Sequence, residues 1–335
     1  MIFDGHNDVL LRLWMAGDER GDGFINGMDT HIDAIKAKQG GLAGGFFAMF
    51  TPQQDTSGKA ILGTDPIAMD TALTATHAMM DIFNALATRK DGLRACRNSQ
   101  EVKTAMDESV MAGILHIEGA EAIAPDLGNL QQFYDQGLRS IGPVWSRSND
   151  FGHGVPFDFP GSPDQGPGLT EAGKALVRAC DDLGIMLDLS HLNEAGFWDI
   201  ARLTDRPLVA THSNVHALSP SPRNLTDPQL AAVAESGGLV GLNFAAGFLR
   251  DDGQKSPNTP VSILIDHLSY LLDHLGEDGV ALGSDFDGAI IPSAIGDASG
   301  LPALISAMQD ADYGDRLIAK ICHENWLKMI AQQLD

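Results

Sequence analysis

Short apolar runs alternate with segments of helical length along the chain, at 1–3, 41–50, 113–117, 138–145, 184–189, 207–211, 238–243 and 279–284. Runs of this length bounded by turn residues read as strands, and strands that alternate with helical patterns read as strand–helix units in a parallel sheet. Between them, helical periodicity predicts helices over 28–39, 65–87, 129–136, 170–183, 194–203, 227–236 and 260–275. Three of these open on a recognisable cap: Thr170 before Glu171, Asn193 before Glu194, and Thr226 before Asp227 and Pro228. Eight strands alternating with helices suggest an α/β fold, a single (β/α)8 barrel of the TIM type, as one domain over 1–335. The competing architecture is an open doubly wound sheet. That fold normally places a phosphate loop after an early strand, and neither G-x-G-x-x-G nor G-x-x-x-x-G-K-[ST] is present.

Length alone, at 335 residues, favours two domains of roughly 150 residues each, but barrels routinely exceed that in one piece. Two connecting stretches, 51–65 and 146–169, are long for barrel loops, and the second is rich in Gly, Pro and Asp. Long loops where strands finish usually shape a substrate pocket.

Composition is that of a globular protein, with 44% hydrophobic and 20% charged residues. The formal net charge of -23 argues against nucleic acid and an anionic membrane as partners, because such a surface repels phosphate. Cys96, Cys180 and Cys322 are odd in number and far apart, so they form neither a disulfide framework nor a C-x-x-C site and are expected as free thiols. No charged-then-apolar leader precedes Met1-Ile2-Phe3, and no apolar run reaches the roughly 18 residues of a membrane span. The expected location is cytoplasmic.

The ionisable residues fall at the ends of the apolar runs. His6 and Asp8 follow the first, Glu118 the third, His191 the fifth, His212 the sixth and Asp285 the eighth. In a barrel those ends converge on one mouth, where the catalytic groups of such enzymes lie. Alternation along an extended strand would put His6 and Asp8 on one face and Asn7 on the other. Three imidazoles and several carboxylates without a thiolate suit zinc or a similar divalent ion. His6, Asp8, Glu118, His191 and His212 suffice for two ions bridged by Glu118, which leaves Asp285 for proton transfer. A water shared by two such ions loses a proton near neutral pH, giving a metal-bridging hydroxide as nucleophile. The bland alternative makes Glu118 a structural carboxylate neutralised by Arg139.

These residues stand in segments that together resemble the membrane (renal) dipeptidase family of the amidohydrolase superfamily. The segments are Gly5-His6-Asn7-Asp8, Glu118-Gly119, Ser190-His191, Thr211-His212-Ser213-Asn214, Arg223-Asn224, Gly283-Ser284-Asp285-Phe286-Asp287-Gly288 and His323-Glu324-Asn325-Trp326. They span nearly the whole chain, and the ordered set is specific although each motif singly is not. The resemblance implies a zinc dipeptidase for small dipeptides, including those with a D-residue on the C-terminal side. It places His6 and Asp8 on one zinc, His191 and His212 on the other, and Glu118 on both. Asp285 then matches the acid/base carboxylate, and Arg223 the arginine that receives the dipeptide's terminal carboxylate, a task suited to its forked donors. Family members are often dimers, so a homodimer is the expected assembly. One position departs from the family. Where founding members carry a His after the fourth strand, near the scissile carbonyl, this chain has Trp145, and His153 a few residues on is the candidate to replace it.

Two other functions compete. The same metal centre serves hydrolases of N-acyl amino acids or lactones, which family resemblance cannot separate. A barrel that binds metal or peptide without turnover is the third, and a spare carboxylate at Asp285 argues against it. Among the remaining polar residues, His116 is expected as a hydrogen-bonded histidine inside the barrel, Asp287 as a loop cap, and His216 as a loop residue with a gating role as alternative. His31, His77, His267, His274 and His323 fall in segments read as helical, with surface or core roles.

Overall fold

All eight apolar runs contain strands, with shifted ends: β1 (Ile2–Asn7), β2 (Leu42–Phe50), β3 (Met111–Glu118), β4 (Leu138–Gly142), β5 (Met186–Leu187), β6 (Val209–Ser213), β7 (Leu239–Leu242) and β8 (Val280–Leu282). The computed structural model describes residues 1–54, 60–61 and 63–335. In the long segment 51–65, a small antiparallel pairing joins Gln53–Gln54 to Ala60–Ile61, and residues 55–59 and 62 lie outside the described residues.

The strands form a curled parallel sheet in two ladders. One runs β1-β2-β3-β4-β5, with a short strand, Leu93–Ala95, also paired to β3, and the other runs β8-β7-β6. A single bridge joins them at each edge, Asp188 to Val209 and Asn7 to Phe286. The eight strands expected from the sequence are thus present, and among the described residues they pair as two ladders that meet at two narrow seams. The cause is local: β5 has 2 residues and β8 has 3, and the chain beyond each turns through left-handed backbone at His191 (φ 68°) and Asp285 (φ 58°), which ends extended pairing.

Helix ends follow the caps. Thr170 and Asn193 accept from the backbone N–H three residues on, and Gln229 Oε1 accepts from Thr226 N in a capping box with Pro228 in the first turn. The expected helix over 28–39 is shorter, Ala34–Gly40, because Asp33 accepts from Lys36 N at 2.8 Å and starts the helix there. His31 therefore lies in the preceding loop and not on a helix. The sequence reading also missed the helix Val9–Met15 directly after Asp8 and the C-terminal helix Asn325–Leu334. Among the described residues, no helix is long and apolar enough to cross a membrane.

Two apolar clusters hold the fold. The larger packs helices on the outer face of the sheet. The smaller gathers Phe3, Phe46, Ile114, Met186, Val209, Leu239 and Ala281 from both ladders around Trp326, whose indole donates to Leu282 O at 2.8 Å. Each buried Phe, Ile, Met, Val or Leu among them contributes about 1.5–3 kcal/mol over leaving it exposed. On β3 the same face continues from Ala112 and Ile114 to His116 and Glu118, so an apolar interior turns polar toward the strand's C-terminal end.

Candidate metal centre

The structure brings His6, Asp8, Glu118, His191, His212 and Asp285 into one buried cluster. His6 is carried by β1 itself. Asp8 is not on a strand face with it, as alternation predicted, but precedes the helix Val9–Met15 with φ -110° and ψ 25°. The turn still brings Asp8 Oδ2 to 3.4 Å from His6 Nε2. Glu118, last residue of β3, divides its oxygens: Oε2 lies 3.7 Å from His6 Nε2, while Oε1 lies 2.9 Å from His191 Nε2 and 3.5 Å from His212 Nε2. His6 and His212 stack with ring centroids 3.8 Å apart. Gly288 has no room for a side chain, since a Cβ there would collide with Asp8 Oδ2 and Asp285 Oδ1.

Neighbouring hydroxyls aim two of the imidazoles. Thr211 Oγ1 donates to Asp188 Oδ2 at 2.5 Å, so its oxygen accepts from His212 Nδ1 at 2.8 Å and leaves Nε2 as the lone-pair nitrogen. Ser146 Oγ lies 2.8 Å from His191 Nδ1 and anchors that ring. Burial, followed by the positive field of Arg223 and His6, holds His191 well below its ordinary value. Burial and then His6 and Arg223 do the same for His212. Neutral imidazoles are what a metal requires. Burial also opposes charge on His6, yet Glu118 and Asp8 outweigh it and push that ring up to about 10. A proton there stands where the surrounding carboxylates call for a cation. Burial raises Glu118 and Asp285, with Asp8 adding to both and His6 opposing.

The donor set fits divalent metal. His6 Nδ1, His6 Nε2 and Asp8 Oδ1 are buried without a hydrogen-bond partner among the described residues, a state that proteins rarely leave uncompensated. Three groupings place their ligand atoms within 4.8 Å of one another: Glu118 with His191 and His212, His6 with Asp8 and Asp285, and His6 with Asp188 and His212.

Arg223 is buried beside this cluster. Its Nη2 donates to His212 O at 3.0 Å and its Nη1 to Ser213 Oγ at 3.4 Å, while Nε has no partner among the described residues. Three aromatic rings run from it back to the histidines. Phe248 lies 5.4 Å from the guanidinium, Phe157 stacks on Phe248 at 6.2 Å, and Trp145 lies 5.3 Å from Phe157 and 5.8 Å from the His191 ring. Trp145 was expected to end a strand, but β4 stops at Gly142 and Trp145 sits in the following loop. His153 is half-buried, with Nδ1 2.8 Å from Ser148 Oγ.

His116 and His216 have structural partners. His116 Nδ1 lies 2.9 Å from Ser140 Oγ, and burial pushes this ring down to about 3. His216 Nε2 donates to Gly161 O and pins the long loop. Asp287 accepts from the backbone N–H of His31 and Ile32. Arg139 spends its donors on the carbonyls of Arg97, Tyr134 and Leu138 and makes no ion pair with Glu118. The sequence reading missed Asp188, Thr211, Ser146 and Asn243. Asn243 follows the last residue of β7, so a rule extended from ionisable to all polar residues at strand ends would have found it.

A curled parallel α/β sheet with a buried cluster of histidines and carboxylates at its strand ends defines a metal-dependent hydrolase. The chain belongs to the membrane dipeptidase family, peptidase family M19, whose model matches residues 1–334. It is a metallopeptidase of the dipeptidase class. It is 48% identical over 238 residues to an uncharacterized protein in the pqqA 5' region of Klebsiella pneumoniae, covering 71% of this chain and 88% of the relative. Among solved structures it is similar to a metallo peptidase from Rhodobacter sphaeroides, liganded with a phosphinate mimic of the dipeptide L-Ala-D-Ala (49% identity, TM-score 0.93, 99% of both chains). It is also similar to the metallo peptidase called dipeptidase AC (48% identity, TM-score 0.92, 99% of this chain and 98% of the other).

Proposed function

We propose that the chain is a binuclear zinc dipeptidase for small dipeptides, L-Xaa-D-Xaa among them. His6 and Asp8 would hold one ion, His191 and His212 the other, and Glu118 both. The observation that carries this reading is the split of Glu118, with one oxygen toward His6 and the other toward His191 and His212. The mimic of L-Ala-D-Ala held by the Rhodobacter sphaeroides protein supports the substrate class. We also take the two ladders as the halves of one (β/α)8 barrel and a single domain, and the enzyme as a cytoplasmic homodimer that acts on no nucleic acid or membrane, a reading the charge of -23 supports.

The bound ions would supply an activated water and polarise the scissile carbonyl. The protein's own groups do the rest. Asp285 takes a proton from the attacking water and returns it to the leaving amine nitrogen as the C–N bond breaks, which releases two amino acids. Arg223 receives the free carboxylate on its unpartnered edge and so fixes which carbonyl meets the nucleophile. Trp145, with Phe157 and Phe248, walls the space between, and His153, from the same loop, would take the place of the family histidine near the scissile carbonyl.

Turnover of a panel of L,L and L,D dipeptides, run beside N-acetyl amino acids and lactones with metal content measured, tests the assignment. Hydrolysis of the dipeptides supports it. Turnover confined to the acylated or lactone compounds moves the alternative substrates ahead.

A further inference from the structure

Asn243 directly follows β7 and is buried against Asp285, the residue assigned to proton transfer. Its carboxamide has no freedom of orientation. The oxygen accepts from Ala245 N at 2.6 Å, which turns the NH2 group the other way, where it donates to Asp285 Oδ2 at 2.9 Å and to His212 O at 3.3 Å. A flipped amide would set oxygen against carboxylate and N–H against N–H. Asn214 fixes the backbone beneath it, accepting from Asn243 N and donating to Asn243 O, both at 3.0 Å. The carbonyl of His212 that Asn243 grips also accepts from Arg223 Nη2. One hydrogen-bonded chain thus links the group that reads the substrate carboxylate to the carboxylate that moves the proton.

From this geometry we infer that Asn243 is a positioning residue for the peptidase reaction, holding Asp285 in the one rotamer from which it reaches both the nucleophilic water and the leaving nitrogen. The inference rests on the proton-transfer role proposed for Asp285. The Asp285 backbone needs such a partner. Its left-handed φ of 58° is costly for a residue with a side chain, and its backbone is tied through Asp285 N to His6 O at 3.1 Å, which leaves only side-chain torsions to set the carboxylate. A hydrogen bond to a charged group fixes those torsions with a strength that a neutral pair lacks.

The test is a double-mutant cycle on the metal-loaded enzyme, with kcat, KM, metal content and thermal midpoint read for each protein. Asn243→Ala should keep its metal and hold KM within about twofold, but lose about ten- to a hundredfold in kcat, the scale of a lost hydrogen bond to a charged group. In an Asp285→Asn background the same change should cost nothing further. Asn243→Asp keeps the shape and the acceptor for Ala245 N but sets a second carboxylate against Asp285, so its kcat should fall at least as far. Wild-type kcat in Asn243→Asp, or an equal fractional loss from Asn243→Ala in both backgrounds, would overturn the positioning role and leave the Asp285 assignment standing. Full activity in Asp285→Asn alone would overturn that assignment and this inference with it.

Discussion

The Nε2 atoms of His191 and His212 lie 3.1 Å apart, each turned inward by a hydroxyl on its Nδ1. Glu118 Oε1 lies 2.9 Å from the first of these nitrogens and 3.5 Å from the second, so two imidazoles and a carboxylate converge as a ready set of metal donors. Elemental analysis should therefore find close to two equivalents of divalent metal per chain. Chelation should abolish activity and lower the thermal midpoint, since metal binding free energy is also folding free energy. Full activity at one equivalent would remove Glu118 from its bridging place.

Asp285 is near enough to His6 and Asp8 to serve as a ligand, so its role turns on measurement. The proton-transfer assignment expects Asp285→Asn to keep its metal and to lose about 10²-fold or more in kcat, the usual scale of general acid–base catalysis. Metal lost in proportion to activity would make it a ligand instead.

Trp145 bridges the exposed edge of the aromatic arc, at Phe157, and the His191 ring. Trp145→Ala should reorder substrates by side-chain size while metal occupancy stays constant. An unchanged ranking across a dipeptide panel would place the indole outside the pocket.

Arg223 distinguishes a dipeptidase from a general amide or lactone hydrolase. Truncating one member of a buried charge pair costs about 2–5 kcal/mol, so Arg223→Met should depress kcat/KM on a free dipeptide by roughly 30-fold to several thousandfold. Arg223→Lys should recover only part, for want of bidentate contact. A C-terminally amidated dipeptide should be poor for the unmutated enzyme and lose little more on mutation. Equal losses on acid and amide would show that Arg223 does not sense the carboxylate.

What the sequence revealed depended on contrast. His6, Glu118, His212 and Asp285 stood out because each is an ionisable residue at the end of an apolar run, which nothing but a polar destination explains. Asn243 occupies the same kind of position but carries no charge, and Asp188 and Thr211 act through the histidines beside them, so none drew notice. Asp8 was assigned to the cluster for the wrong reason, because a helix as short as Val9–Met15 gives too few turns to separate it from a continuing strand. The curled parallel sheet was legible as eight strands and not as two ladders. Pairing depends on where the backbone turns, and the left-handed conformations of His191 and Asp285 follow from tertiary contacts that no local pattern records.

Those two left-handed residues stand beside the seams. Backbone pairing between the ladders amounts to the bridges at Asp188–Val209 and Asn7–Phe286, while the polar cluster takes His6 and Glu118 from one ladder and His212 and Asp285 from the other. An ion held by Glu118, His191 and His212 would act as a rivet between two plates, adding its coordination to the stiffness that the sheet and the shared core give the mouth. Amide exchange should register this. On stripping the metal, protection should fall first at Asp8 and Leu189, whose N–H groups cross the seams to Phe286 O and Val209 O, while the long β2–β3 pairing keeps its protons.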